Sequence, residues 1–572
     1  MKPVRLPASA TRALPRWGLI ALCLLYILPG LIRRDPWKVD DAAGFGIMWT
    51  MAHGGLQDWL LPNIAGMPVL GEGPLAFWIG AIFIKLFGWL LGDALAARIS
   101  TILFFLIGAI AVWYATYLLG RRSEAQPHRL AFGGQPEARD YGRTLADGAL
   151  LIYLGCLGLL LRSHETSAEA LQVSLVAVSL YGAIRLFDSD SRGGAITLGL
   201  TLALLALTRG FIIPLAIAAA LLVPAILAER KVLQRLLLLS FPLSALIMAA
   251  WFFALQTWSP VAASQTADWL QWNAGQIERP GLDTIFYLIK YGIWFSWPAW
   301  PFALWALYAW RNQWQTLHIR LPLTVLAAAV LLAVVNPHSE ESLLLPLLPP
   351  LAILAAFGLP TMKRGAINAV DWFSVTTLTA CAAFIWVGWI AKQTGWPPQI
   401  AKNAFKLAPG FQPEFNLIAL LIAIAATVGW IMLVHWRIAR RPSVLWRAVV
   451  LSSGGVILCW LLLMTLWLPW LNYGKSYAGV AQQIAGKLPT AGYCVLSNVG
   501  PAQRASFAYF GHVKFAYPGQ GACRYLLLQD SLSKRNSRQL LQEYGGDWKL
   551  LWEGRRPSDR DERFRLYRRE LN

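Results

Sequence analysis

The sequence predicts an all-α polytopic membrane protein with a small α/β domain at its C-terminus. Three observations lead there. Of 572 residues, 57% are hydrophobic and only 14% are charged, which suits a bundle immersed in lipid. Tryptophan is abundant, with 29 residues, as expected where many spans cross two interfaces. After Leu471 the composition shifts to that of a soluble domain of about 100 residues. The net charge of +20 reads as basic cytoplasmic loops rather than a nucleic-acid surface.

The first apolar run, 17–32, follows Lys2, Arg5, Arg12 and Arg16. Arg33-Arg34-Asp35 comes next with no small-residue cleavage pattern, so the run is an uncleaved first span. A long outer loop, 33–93, opens with Trp37-Lys-Val-Asp40-Asp41 and carries Glu72. Its apolar stretch 74–91 holds Lys85 near the middle, which a span would avoid. It reads as a juxtamembrane helix along the outer interface, with Lys85 snorkelling. Residues 95–120 form the next span, close to the roughly 20 apolar residues a bilayer requires. The loop after it holds Arg121, Arg122, Arg129, Arg139 and Arg143 and is therefore cytoplasmic.

That assignment sets the direction of every later run: 149–161, 170–187, 195–207, 211–228, 236–257, 286–310, 321–335, 343–359, 370–391, 417–434 and 448–470. The total is about thirteen spans, with the N-terminus inside and the C-terminus outside. Basic residues fall in the inner loops and most carboxylates in the outer ones.

Residues 471–572 read as a small α/β domain. Helical patterns cover 477–488, 502–510 and 537–544, and strand patterns cover 493–497, 513–517, 524–529, 548–552 and 563–568. Cys23, Cys156, Cys381 and Cys459 lie in apolar runs and read as packing residues. Cys494 and Cys523 lie in the tail. Outside the cytoplasm they are a candidate disulfide, and two free thiols are the other reading.

No phosphate-binding loop, dinucleotide fingerprint, HExxH or CxxC pair is present. The topology instead gathers polar residues on the outer side: Asp40, Asp41, Glu72, His164, Glu165, Glu169, Arg209, His338, Glu340 and Glu341. Carboxylates at a membrane surface are costly to desolvate, which points to chemistry.

The order of these features resembles a known family. Asp40-Asp41 follows the first span, then Gly66-Met-Pro-Val-Leu-Gly-Glu72-Gly-Pro74-Leu75 leads into the interfacial helix. Glu169 follows the third span, and Leu-Leu-Leu-Pro-Leu-Leu-Pro-Pro-Leu-Ala occupies 343–352. Residues 15–470 thereby resemble polyprenol-phosphate-dependent glycosyltransferases of the GT-C type, in the protein O-mannosyltransferase and lipid A aminoarabinose transferase superfamily. The tail resembles the periplasmic domain of the aminoarabinose branch. The family's Glu-Lys-Pro-Pro-Leu falls on Gly71-Glu72-Gly73-Pro74-Leu75, with the acid shifted by one position and the lysine missing.

The resemblance implies a GT-C transmembrane catalytic domain over 1–470 and a periplasmic domain over 471–572. It implies a sugar, hexosyl or pentosyl, moved from a polyprenyl-phosphate donor to lipid A, a lipid-linked glycan or another envelope acceptor. The setting would be the periplasmic face of a bacterial inner membrane. Asp40 would be the general base, with Asp41 as the alternative. Glu169 and Glu72 would position the acceptor or a divalent metal ion. Arg209 and Lys85 would bind phosphate. His164 and Glu165 would contact substrate, and His338 with Glu340 and Glu341 would line the site. Two rival readings are a transporter or flippase of lipid-linked sugars, and an inactive scaffold relative.

Overall fold

The computed structural model describes the chain except residues 1–3, 13, 130, 132–133, 260–261, 338–339, 440–444, 518–522, 532–536, 546 and 570–572. The chain is mostly helical, with a small C-terminal sheet. Nine helices position the candidate site: α1 (Asp40–His53), α2 (Leu75–Leu91), α3 (Asp93–Gly120), α4 (Ala168–Ser189), α5 (Arg192–Arg209), α6 (Ile212–Ile226), α7 (Ala262–Ala274), α8 (Leu317–Val335) and α9 (Pro501–Phe510).

Among the described residues, seven helices are long and apolar enough to cross a membrane, or eight if the bent pair Val450–Leu466 and Leu468–Lys475 is one span. They include α3, α4 and α8. The remaining expected spans are helical but differ in form. Arg16–Ile27 and α6 are apolar but short. The run 286–310 is two helices, Leu282–Phe295 and Ala299–Ala309, with Trp297-Pro298 in the break, where proline supplies no backbone N–H. Residues 149–161 fall in Ala138–Gly155 and Leu157–Arg162, the first of which opens with Arg139, Asp140 and Arg143. α2 has 17 residues, about 26 Å of helix at 1.5 Å per residue, and leaves Leu86, Trp89 and Leu90 exposed.

α4 is the centre of the bundle, packed between α3 and α5. Its hydrophobic face continues nearly all round, and Leu171, Val173, Val176, Ala177 and Leu180 are buried, as suits a helix enclosed by others. Its 22 residues span about 33 Å, so its two ends lie at opposite faces of the bundle. Glu169 is in its first turn and Asp188 in its last.

The tail forms a four-stranded sheet of β1 (Val495–Ser497), β2 (Tyr525–Ser531), β3 (Trp548–Gly554) and β4 (Glu562–Arg569), in the order β1-β2-β4-β3. β1 and β2 are parallel and the other pairs are antiparallel. The expected strand at 513–517 contributes only one bridge, Phe515 to Val495. Cys494 and Cys523 are joined by a disulfide, with Cα atoms 5.3 Å apart.

The tail does not hang free. α9 lies along α1, so close that a Cβ on Gly46 would fall 2.3 Å from the Ala505 methyl. Only glycine permits that approach. Arg504 donates to the carbonyls of Ile64 (2.9 Å) and Ala65 (2.7 Å) in the first loop. Tyr509 adds an edge contact to Phe45, centroids 4.8 Å apart.

Candidate active site

Asp40 and Asp41 are neighbours with opposite environments. Asp41 is fully buried. Its Oδ2 accepts from Arg34 (3.2 Å), Arg98 (3.3 Å) and the Trp37 N–H (3.0 Å). Its Oδ1 accepts from the Thr166 N–H (2.9 Å) and hydroxyl (3.0 Å). Burial pushes its pKa up, but Arg34, Arg98 and the two backbone N–H groups outweigh that and hold the carboxyl below the usual range. Expected as an alternative base, Asp41 is instead an anchor that ties α1 to the span α3 and to the loop before α4.

With Asp41 fixed, Asp40 turns outward, its side chain 48% exposed. Arg162 Nη1 lies 2.5 Å from Asp40 Oδ2, 3.0 Å from Glu165 Oε2 and 3.2 Å from Glu169 Oε2. Arg162 Nη2 is 3.9 Å from Glu341. Glu169 sits in the first turn of α4, where the helix dipole favours a carboxylate. Its other oxygen accepts from Arg209 Nη1 at 2.8 Å. Arg209 is the last residue of α5, where the dipole favours a cation. The Gly73 N–H donates to the Thr208 carbonyl at 2.9 Å, which brings Glu72 to 4.0 Å from Arg209 Nε. Glu340 Oε2 approaches Arg209 Nη2 at 3.6 Å.

Six carboxylates therefore share two guanidiniums. Two of these acids titrate high. Burial, opposed by Arg162, pushes Glu165 up to about 8. Burial, opposed by Arg209, pushes Glu72 up to about 7. Asp40, Glu165 and Glu169 offer ligand atoms within 4.8 Å of one another, a spacing that could hold a metal ion. The Arg162 guanidinium lies among those oxygens, so an ion would have to displace it.

No family model matches the chain, and no curated protein matches it. Solved structures do. ArnT from Cupriavidus metallidurans, bound to undecaprenyl phosphate, superposes with a TM-score of 0.65 at 14% identity, over 96% of this chain and 97% of that one. The same protein in its apo state gives 0.65 at 15% identity over the same shares. The chain has the GT-C fold. The archaeal oligosaccharyltransferase AglB from Archaeoglobus fulgidus, in complex with an inhibitory peptide and a dolichol-phosphate, gives 0.48 at 11% identity, over 93% and 73%.

Within this GT-C bundle several expected site residues lie elsewhere. Lys85 forms no ion pair among the described residues, and its Nζ lies 5.8 Å from the Trp59 ring. It is exposed on α2, as an interfacial anchor would be. His164 is fully buried, and burial, opposed by a hydrogen bond to the Leu160 carbonyl, lowers its pKa to about 4. Its Nδ1 lies 2.6 Å from the Leu160 carbonyl, and its Nε2 lies 2.9 Å from the Tyr26 carbonyl and 3.1 Å from the Trp460 indole nitrogen. It packs the bundle rather than facing substrate. His338 lies outside the described residues.

Three arginines that build the site carry signals in the sequence. The alternation of spans predicts Arg34 and Arg162 in outer loops, against the positive-inside trend. Arg98 lies inside a helix long and apolar enough to span, where a charge marks a partner or a function. Its guanidinium also donates to the Arg34 carbonyl.

Proposed function

We propose that the chain is an integral-membrane glycosyltransferase. It transfers a hexosyl or pentosyl group from a polyprenyl-phosphate donor to lipid A, a lipid-linked glycan or another envelope hydroxyl. The setting is the periplasmic face of a bacterial inner membrane, with the tail domain on that side. The observation that carries this reading is the gathering of Asp40, Glu165 and Glu169 on Arg162, beside Arg209, at one face of a GT-C bundle. That ArnT is solved with undecaprenyl phosphate supports the donor class.

In this reading Asp40, the outward-facing acid, takes the proton of the acceptor hydroxyl. The acceptor oxygen bonds to the anomeric carbon while the carbon–oxygen bond to phosphate breaks. The polyprenyl phosphate leaves with the bonding pair, and Arg209 and Arg162 stabilise its charge. Glu169 holds both guanidiniums in place until phosphate competes for them. A divalent ion on Asp40, Glu165 and Glu169 would supply the same stabilisation. The test is transfer from radiolabelled polyprenyl-phosphate sugars in proteoliposomes. Asp40→Asn and Glu169→Gln should each abolish transfer while the protein stays folded, and full activity in both would remove the assignment.

A further inference from the structure

A cavity of about 230 Å³ opens beside Arg209, between α4, α6, α7 and α8. That is slightly below the ~300 Å³ at which small-molecule sites usually begin, and fits one sugar ring rather than two. Of its polar lining, Gln172, Asn273, Gln276, Asn336 and Ser342 are neutral, and Arg209 and Glu340 are charged. Of the six crowded carboxylates only Glu340 reaches it, and Glu340 already accepts from Ser342 at 3.1 Å and faces Arg209.

Gln172 stands one turn below Glu169 on α4 and lines the cavity at 3% exposure. Its amide makes no hydrogen bond to any described residue. The amide opens into the cavity, where a ligand hydroxyl can both donate to it and accept from it. Across the cavity Asn336 Nδ2 donates to Gln276 Oε1 at 2.6 Å. That leaves the Gln276 NH₂ group without a protein acceptor among the described residues. Trp272 completes the lining, packed so that a Cβ on Gly71 would fall 3.3 Å from its ring. Amides beside an indole are what a hydroxyl-bearing ring recognises: hydrogen bonds at its edge and apolar contact on its C–H face. Below them the wall turns apolar with Ile213, Ala216 and Ala329.

We propose that this cavity seats the donor's sugar, that the sugar is a single uncharged ring, and that Gln172 and Trp272 determine its recognition. The proposal rests on the glycosyltransferase reading and adds the class of sugar. The phosphate then lies at Arg209, at the boundary between the cavity and the acidic cluster where the acceptor waits.

The experiment measures equilibrium binding to the full chain in nanodiscs. The probes are undecaprenyl phosphate, a panel of undecaprenyl phosphates bearing single neutral hexoses or pentoses, and a 4-amino-4-deoxy sugar counterpart. At least one neutral sugar should bind about tenfold tighter than the bare carrier, the scale of one or two buried hydrogen bonds. Gln172→Leu and Trp272→Ala, checked for an unchanged melting temperature, should each remove that gap and leave the bare carrier's affinity intact. If the bare carrier weakens equally, the cavity holds the carrier and the sugar placement is overturned. If the amino sugar binds tightest, or no neutral sugar exceeds the bare carrier, the neutral-ring assignment is overturned. If folded wild-type protein binds none of the probes, it is the glycosyltransferase reading that fails. Should both variants unfold, Gln172→Asn and Trp272→Phe replace them, with a smaller loss of the same gap expected and an unchanged gap overturning the proposal.

Discussion

The two ends of α4 carry charge clusters built on different rules. At the Asp188 end, Arg121, Arg122 and Arg235 face Glu124, Asp188 and Asp190, one cation for each acid. Glu124 is also held by the Leu317 N–H at 2.7 Å. Burial raises its pKa, but hydrogen bonding from His318 and the charge of Arg122 outweigh that and bring it down to about 2. At the Glu169 end the acids outnumber the guanidiniums, and Glu165 rises to about 8. The first cluster is balanced in charge, and the Leu317 N–H and His318 add to the hold on Glu124. The second holds groups that only a further partner can satisfy, and such imbalance is what separates a working site from a fastening.

The largest test of that contrast is at Asp40 and Glu169. Asp40→Asn should lower sugar transfer about a thousandfold, within the range for loss of a general base, with little change in melting temperature. Asp41→Asn should do the reverse. It strips charge from a buried, five-bonded anchor and should destabilise the fold by about 3–5 kcal/mol, read as lost yield and an earlier melt. Equal behaviour of the two variants would break the distinction drawn between the neighbours.

A smaller effect follows from Glu165. Its folded pKa of about 8 lies above its usual 4.5, so the folded chain holds a proton that the unfolded chain releases. That stabilisation is complete below pH 4.5 and fades as pH rises toward 8. Glu165→Gln should therefore melt higher than wild type at pH 8 and show a flatter pH dependence between 5 and 8. A steeper dependence in the variant would contradict the burial argument. The smallest effect is expected at the balanced end. Asp188→Asn should cost about 1 kcal/mol or less, as partly exposed pairs do, and leave transfer unchanged.

Much of this arrangement was legible in the chain. The loop with Asp40 and Glu72, the acid at the start of α4 and the arginine at the end of α5 meet at one end of the bundle, an encounter the alternation of spans predicts. α2, read as interfacial from Lys85 near its middle, is one of three shorter apolar helices, with Arg16–Ile27 and α6. The failures have a common cause. Hydropathy says which face of the membrane a residue occupies, not which neighbour it meets. His164 and Glu165 are adjacent in one polar loop, yet one faces Trp460 in the interior and the other faces Arg162. Asp40 and Asp41 share a helical turn and diverge for the same reason. The sequence marks Arg162 only as a cation in a predicted outer loop, and the four acids around it come together only in the fold. The run 286–310 misled because its apolar total ignores Trp297-Pro298, where the helix breaks.

The seating of Gly46 against Ala505 has a consequence for biosynthesis. α1 emerges early from the ribosome, and α9 emerges more than 400 residues later. The helix that bears Asp40 reaches its final bed only once α9 has been made. A chain truncated before α9 would carry the six clustered acids and their two arginines, yet lack the surface that seats α1.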